Sequence, residues 1–140
     1  MAEAAATFPD PEERAPSILI VEDEVLIRFV IADYLRECGF RVLEAGDAGE
    51  AIEILGADVA VDLVFSDIQM PGAMDGFALA QWIRANRPTL PVVLTSGDAS
   101  KSAKAKELCR SEPFFAKPYD VAGVVAHIRN ALNVNKPDRS

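Results

Sequence analysis

Five side chains that can hold a metal ion or a phosphoryl group each follow a short apolar run. They are the acid pair Glu22 and Asp23, then Asp67, Thr95 and Lys117. Short runs of this kind, with little polar alternation, are typical of strands buried on both faces of a parallel sheet. Because parallel strands end at the same edge of a sheet, we expect these side chains to meet there.

The chemistry of this set follows from its charges. Three carboxylates in one small site repel one another unless a cation neutralises them, and Mg²⁺ prefers a few carboxylates with water and phosphate oxygens. Lys117 adds a positive group for an incoming oxyanion, and Thr95 adds a hydroxyl. Each residue alone also fits an ordinary turn or cap, so the combination is what indicates a phosphoryl site.

The surrounding elements support this arrangement. Strand patterns at residues 17–21, 40–44, 61–65, 91–94 and 113–116 alternate with helix patterns at 25–38, 47–56, 77–87, 100–109 and 121–132. Five strands alternating with five helices predict an α/β fold, a doubly wound parallel sheet covered on both faces. In this arrangement Asp67 lies just beyond the third strand.

Length and composition limit the alternatives. A chain of 140 residues fits one domain, which we place at residues 17–133, with a flexible acidic tail at 1–16 and a C-terminal tail at 134–140. The net charge of −8 opposes binding to nucleic acid. No apolar run reaches membrane-spanning length and no secretory signal is evident, so we expect a cytoplasmic protein. Cys38 and Cys109 are expected to be free thiols.

Four motifs together resemble the bacterial response-regulator receiver domain. They are Ile18-Leu19-Ile20-Val21-Glu22-Asp23-Glu24, Asp67 with Met70-Pro71 and Met74-Asp75-Gly76, Leu94-Thr95-Ser96, and Phe115-Ala116-Lys117-Pro118. The resemblance covers about residues 17–133. It implies a flavodoxin-like sheet with strand order 2-1-3-4-5 and five helices.

The resemblance also implies roles for the strand-end residues. Asp67 would be the phosphoacceptor. Mg²⁺, the one cofactor expected, would be bound by Asp23 and Asp67 directly, by Glu22 through water and by the backbone carbonyl of Gln69. Thr95 and Lys117 would hold the phosphoryl oxygens, and the Lys117–Pro118 bond would be cis.

Two features of the chain depart from the family pattern. Gly72 and Ala73 lengthen the loop after Asp67 by one residue, and Phe114 lacks the hydroxyl of the tyrosine often found there. Gly97 has no side chain to orient a water molecule, which predicts a persistent phosphorylated state.

The function implied is a stand-alone receiver in a two-component phosphorelay, since little chain follows the last predicted helix. It would accept a phosphoryl group from a histidine kinase or a histidine phosphotransfer protein and signal to a downstream protein through contacts. It would be no enzyme beyond its own phosphorylation and dephosphorylation, and a homodimer is left open. Alternatives are a phosphate sink or shuttle, and a binding module independent of phosphorylation. A Mg²⁺-dependent phosphohydrolase is disfavoured because Gln69 stands where that class has a second Asp.

Overall fold

The computed structural model describes residues 15–96, 114–116 and 121–135. In chain order the elements are β1 (Ser17–Val21), α1 (Val25–Glu37), β2 (Arg41–Ala45), α2 (Ala48–Gly56), β3 (Leu63–Asp67), α3 (Gly76–Asn86), β4 (Val92–Ser96), β5 (Phe114–Ala116) and α4 (Val121–Asn135). The predicted helix at 100–109 lies outside the described residues, as do Gly97, Cys109 and Lys117. Among the described helices, none combines the length and apolar character needed to cross a bilayer.

The five strands form one parallel sheet in the order β2-β1-β3-β4-β5. Every neighbouring pair is parallel, with Ser17 opposite Arg41 at one side of β1 and Ile18 opposite Leu63 at the other. The predicted fold class and strand order are therefore confirmed. The order reverses at β1 and β3, the kind of position where open α/β sheets bind their ligands.

Side chains that alternate along each strand fill two separate cores. Leu19, Val64 and Leu94 point toward α2 and α3, whereas Ile20, Phe65 and Val93 point toward α1 and α4. Since successive strand residues face opposite sides, Asp67 and Thr95 continue the series of Phe65 and Val93. Both therefore belong to the face that carries α1.

Two strands run further than predicted toward the site. Asp67 is the last residue of β3 and not a residue beyond it, because it stays in register with Thr95 and the Ile68 amide donates to the Thr95 carbonyl (2.9 Å). β4 likewise continues through Ser96. The parallel ladder thus holds the backbone of both site residues.

Regular structure extends slightly past residues 17–133, and the predicted domain boundaries themselves stay a prediction. The carbonyl of Pro16 accepts a hydrogen bond from the Arg41 amide (2.9 Å), so the sheet pairing begins one residue inside the predicted tail. At the other end α4 runs to Asn135, past the predicted boundary at residue 133.

The end of α1 follows its sequence closely. Gly39 has φ +99°, its amide donates to the Arg36 carbonyl, and the Phe40 amide donates to the Leu35 carbonyl. These two bonds make a Schellman cap, with Phe40 and Leu35 both buried in the same core. Gly39 therefore ends α1.

The buried side of α1 is narrower than its apolar pattern. Ile31, Ala32 and Leu35 are buried, but Leu26 and Val30 remain largely in solvent although they share the helical spacing. Helical periodicity identifies an apolar arc, and the neighbouring elements decide how much of it is covered.

Candidate phosphoryl and metal site

Three carboxylates converge at the carboxyl edge of the sheet. Glu22, Asp23 and Asp67 each present a carboxylate oxygen within 4.8 Å of the others. Glu22 and Asp67 are buried, at 2% and 5% exposure, whereas Asp23 is exposed. Charges this close in a largely buried setting favour a cation between them, and an all-oxygen set suits Mg²⁺. The predicted convergence of these residues is what the structure shows.

The acidic turn after β1 is anchored by backbone bonds. The Glu22 amide donates to the Ala45 carbonyl of β2 (3.0 Å), which extends the ladder past the end of β1. The Glu22 carboxylate accepts from the Glu24 amide (3.1 Å) at the start of α1. Glu22 therefore caps its own turn while its carboxylate faces the site.

Arg28 is a supporting residue that the sequence reasoning missed. Its Nη1 donates to the Glu22 carbonyl (2.8 Å), and its Nε donates to Glu44 Oε1 of β2 (3.1 Å). The guanidinium thus ties α1, β2 and the acidic turn together. Its sequence signal is a charged residue within the apolar first turns of α1, at a position where the helix faces the sheet.

Thr95 lies beside the phosphoacceptor candidate. Thr95 lies opposite Asp67 in the pairing of β3 with β4, and it is 1% exposed. Among the residues that the structure describes, none makes a hydrogen bond with its Oγ1. A buried hydroxyl without a partner costs about 1–3 kcal/mol, and such groups are found where a ligand or a second state supplies the partner.

The loop after Asp67 folds back tightly onto the strand end. The Gly76 amide donates to the Ile68 carbonyl (2.8 Å), and Asp75 caps α3 by accepting from the Ala78 amide (3.0 Å). A Cβ at residue 76 would overlap the Asp67 carbonyl and come within 2.6 Å of Ile68 Cα. The Asp75-Gly76 part of the motif is therefore a packing requirement for the floor of the site.

Gln69 contacts the site edge through its side chain. Its Oε1 accepts a hydrogen bond from Ser96 Oγ (3.0 Å), the residue after Thr95. This bond joins the loop after β3 to the end of β4. The predicted role of the Gln69 backbone carbonyl in metal binding stays a prediction, as does the role of Lys117, which lies outside the described residues.

Comparison with known proteins assigns the family. A sequence model of the response regulator receiver domain matches residues 18–129. The chain belongs to the response regulator receiver domain family. The resemblance inferred from the strand-end motifs is confirmed, and receivers generally bind Mg²⁺ at an acidic pocket, for which Glu22, Asp23 and Asp67 supply a carboxylate set.

Individual relatives agree with this assignment. The receiver is 32% identical to the transcriptional activator protein PfeR of Pseudomonas aeruginosa over 126 residues, which are 89% of this chain and 40% of PfeR. It is 37% identical over 120 residues to the sensor histidine kinase RcsC of Salmonella typhimurium, covering 78% of this chain and 12% of RcsC. This chain thus spans less than half the length of either relative.

The solved structures support the same fold. A response regulator receiver protein from Sinorhizobium medicae superimposes with a TM-score of 0.78 at 27% identity, over 87% of this chain and 98% of that one. Receivers work in two-component signalling and interact with histidine kinases or phosphotransfer proteins.

Proposed function

We propose that this receiver accepts a phosphoryl group on Asp67 from a phosphohistidine of a histidine kinase or a histidine phosphotransfer protein, with Mg²⁺ bound beside it. The observation that carries the proposal is the convergence of Glu22, Asp23 and Asp67 within 4.8 Å at the carboxyl edge of the sheet. Three carboxylates held so closely need a cation, and one of them stands at a strand end with a buried hydroxyl in register.

Mg²⁺ would be held by Asp23 and Asp67 directly, by Glu22 through water and by the Gln69 backbone carbonyl. When bound, it neutralises the negative charge that builds up as phosphate approaches carboxylate. The turn that carries Glu22 is already fixed by Glu24 and Arg28, so these residues need little reorganisation to bind the ion.

The transfer itself needs only one nucleophile. A carboxylate oxygen of Asp67 attacks phosphorus as the phosphorus–nitrogen bond of phosphohistidine breaks. The imidazole nitrogen leaves with the bonding electron pair and takes up a proton, and an aspartyl phosphate remains. Thr95 Oγ1 then has a phosphoryl oxygen to bind, and Lys117 would bind another.

We also propose where the receiver acts and how it signals. The receiver would catalyse only its own phosphorylation and dephosphorylation, in the cytoplasm, without binding nucleic acid or membrane. Its output would pass through protein–protein contact. Action as a phosphate sink or shuttle is the alternative, which the same site chemistry would serve.

Intact mass spectrometry after incubation with acetyl phosphate tests the proposal. We expect one added phosphoryl group when Mg²⁺ is present and none in the presence of EDTA. Asp67→Asn should abolish the adduct. Asp58→Asn, the same chemical change at an exposed loop position, is the matched control and should be phosphorylated like the wild type.

Two results would contradict the proposal. An adduct that survives Asp67→Asn would place the chemistry elsewhere, and equal labelling with and without Mg²⁺ would remove the metal from it. Repeated hydrolysis of a phosphate monoester, which is no phosphoryl donor for a receiver, would instead indicate a phosphohydrolase.

A further inference from the structure

An arginine beside the acidic site pairs with a carboxylate that lies outside that site. Arg28 donates from Nη1 to the backbone carbonyl of Glu22 (2.8 Å). Its ion pair is formed with Glu44 of β2, between Nε and Oε1 (3.1 Å). A positive charge is therefore held next to the site's three carboxylates by a fourth carboxylate on the neighbouring strand.

Hydrogen bonds to two consecutive residues of β2 fix the acidic turn. The Glu22 amide donates to the Ala45 carbonyl (3.0 Å), while Arg28 connects the Glu22 carbonyl to the Glu44 side chain. Glu22 is thus tied to β2 through both of its peptide groups, directly at its amide and through the guanidinium at its carbonyl. The second of these connections depends on the Glu44 carboxylate.

The position of Glu44 suits this task. It follows Val42 by two residues in β2, and Val42 packs against the core beneath α1, so both side chains face that helix. Glu44 Oε1 pairs with Arg28 and Oε2 with Arg36 (3.2 Å), so the two arginines do not share an oxygen. The Arg28 side chain is 20% exposed and that of Arg36 47%, which makes the Arg28 pair the less screened of the two.

Without Glu44 the guanidinium would be attracted to the site itself. Glu22, Asp23 and Asp67 bring three carboxylate oxygens within 4.8 Å of one another, and Arg28 already contacts the backbone of Glu22. A guanidinium that has lost its partner binds carboxylates well, often through two oxygens at once. It would then neutralise the same oxygens that a metal ion needs, so the two cations would compete.

We propose that Glu44 is a positioning residue of the metal site. By pairing with Arg28 it keeps the guanidinium on the Glu22 carbonyl and away from the carboxylates that bind Mg²⁺. Arg28 then supports the acidic turn while Glu44 holds it, and competes with the metal once it is released. The inference rests on the proposed Mg²⁺ site and does not require phosphorylation of Asp67.

Mg²⁺ titrations of the full chain, followed by amide NMR shifts at constant ionic strength, test the competition. Glu44→Ala should weaken Mg²⁺ binding by about thirtyfold, about tenfold from the lost support of the turn and about threefold from competition by a partly exposed ion pair. Adding Arg28→Ala should strengthen binding again by about threefold, because no guanidinium is left to compete. Adding Arg36→Ala instead is the matched control and should restore nothing. The melting temperature verifies that each variant is folded.

Two results of these titrations would overturn the inference. A double variant Arg28→Ala/Glu44→Ala that binds Mg²⁺ no more tightly than Glu44→Ala would show that Glu44 acts through its own charge and not through Arg28. Wild-type affinity in Glu44→Ala would show that Arg28 needs no partner to stay in place.

Thermal melts in EDTA separate this inference from the proposed function. With Glu44 in place, Asp23→Asn should raise the melting temperature, because it relieves repulsion among the carboxylates. In the Glu44→Ala background the same change should lower it, because Asp23, the exposed member of the three, then pairs with the released guanidinium. Asp33→Asn should have no effect in either background.

The two measurements fail independently. A wild type that binds no Mg²⁺ contradicts the proposed function. An effect of Asp23→Asn with the same sign in both backgrounds contradicts the positioning of Arg28 by Glu44, whatever the affinity for the metal.

Discussion

Asp67 and Thr95 stand opposite each other on adjacent parallel strands, and both are almost completely buried at the carboxyl edge of the sheet. The Ile68 amide, next in the chain, donates to the Thr95 carbonyl. The backbone spacing between the two residues is therefore set by the strand ladder. Any response of Thr95 to phosphate on Asp67 must come from rotation of its side chain.

Removing the Thr95 hydroxyl should stabilise the unphosphorylated protein. Thr95→Val keeps the shape and deletes a buried oxygen that has no hydrogen bond to the described residues, so we expect the free energy of unfolding to rise by about 1 kcal/mol. Urea denaturation measures it. Ser96→Ala is the control and should lower stability by about 1 kcal/mol, because Ser96 Oγ bonds Gln69. A loss of stability in Thr95→Val would show that the hydroxyl is already satisfied.

The effect of Asp23→Asn on the melting temperature should depend on whether Mg²⁺ is present. Without Mg²⁺, Asp23→Asn should raise the melting temperature, because one of three mutually repelling charges is removed. With Mg²⁺, the wild type should gain stability by mass action and the variant much less. Thermal melts with MgCl₂ and with EDTA measure both effects. Asp33→Asn, at an exposed position on α1, should behave like the wild type in both. If Mg²⁺ raised the melting temperature of Asp23→Asn as much as that of the wild type, Asp23 would not be a metal ligand.

Gly76 should tolerate no side chain. Gly76→Ala places a methyl group against the backbone of Asp67 and Ile68, where no flexible side chain can move away. We expect a loss of about 3 kcal/mol or more in urea denaturation, together with slower phosphorylation by acetyl phosphate. Gly56→Ala meets no atom within 4 Å and should be neutral or stabilising by up to about 1 kcal/mol. Equal stability of the two variants would contradict the close approach.

Arg28 should support the metal site without touching the metal. Arg28→Ala leaves the Glu22 carbonyl without its 2.8 Å donor, so we expect Mg²⁺ affinity, measured by calorimetry, to fall by about tenfold. Arg28→Lys retains a donor and should restore part of the loss. Arg36→Ala removes a more exposed partner of the same Glu44 and should leave Mg²⁺ affinity unchanged. Equal losses in both alanine variants would indicate a general charge effect.

Much of the fold follows from the sequence because burial on two faces leaves a clear pattern. Apolar runs identify the strands. The ends of β3 and β4 were placed too early, since Asp67 and Ser96 are polar and the pattern reads apolar character alone. What keeps them in the strands is pairing with a neighbour, which only the register reveals.

The site was predictable as a set of residue types at strand ends, because the topology brings those ends together. The role of Arg28 was not predictable, since its side chain supports the site by donating to a backbone carbonyl six residues earlier in the chain. The exposure of apolar side chains on α1 was equally hidden. Leu26 and Val30 are apolar residues at helical spacing, which predicts burial. The structure leaves both largely exposed, because no described element covers them.

The contact at Gly76 has a mechanical consequence. The start of α3 packs directly on the backbone of Asp67, so no flexible side chain lies between them that could adjust to a shift of the strand end. A helix of this length extends about 16 Å, so a tilt of about 4° at Gly76 would displace Asn86 by about 1 Å. A shift of the strand end at Asp67 would therefore be transmitted directly to α3, and it would be largest at the carboxyl-terminal end of that helix.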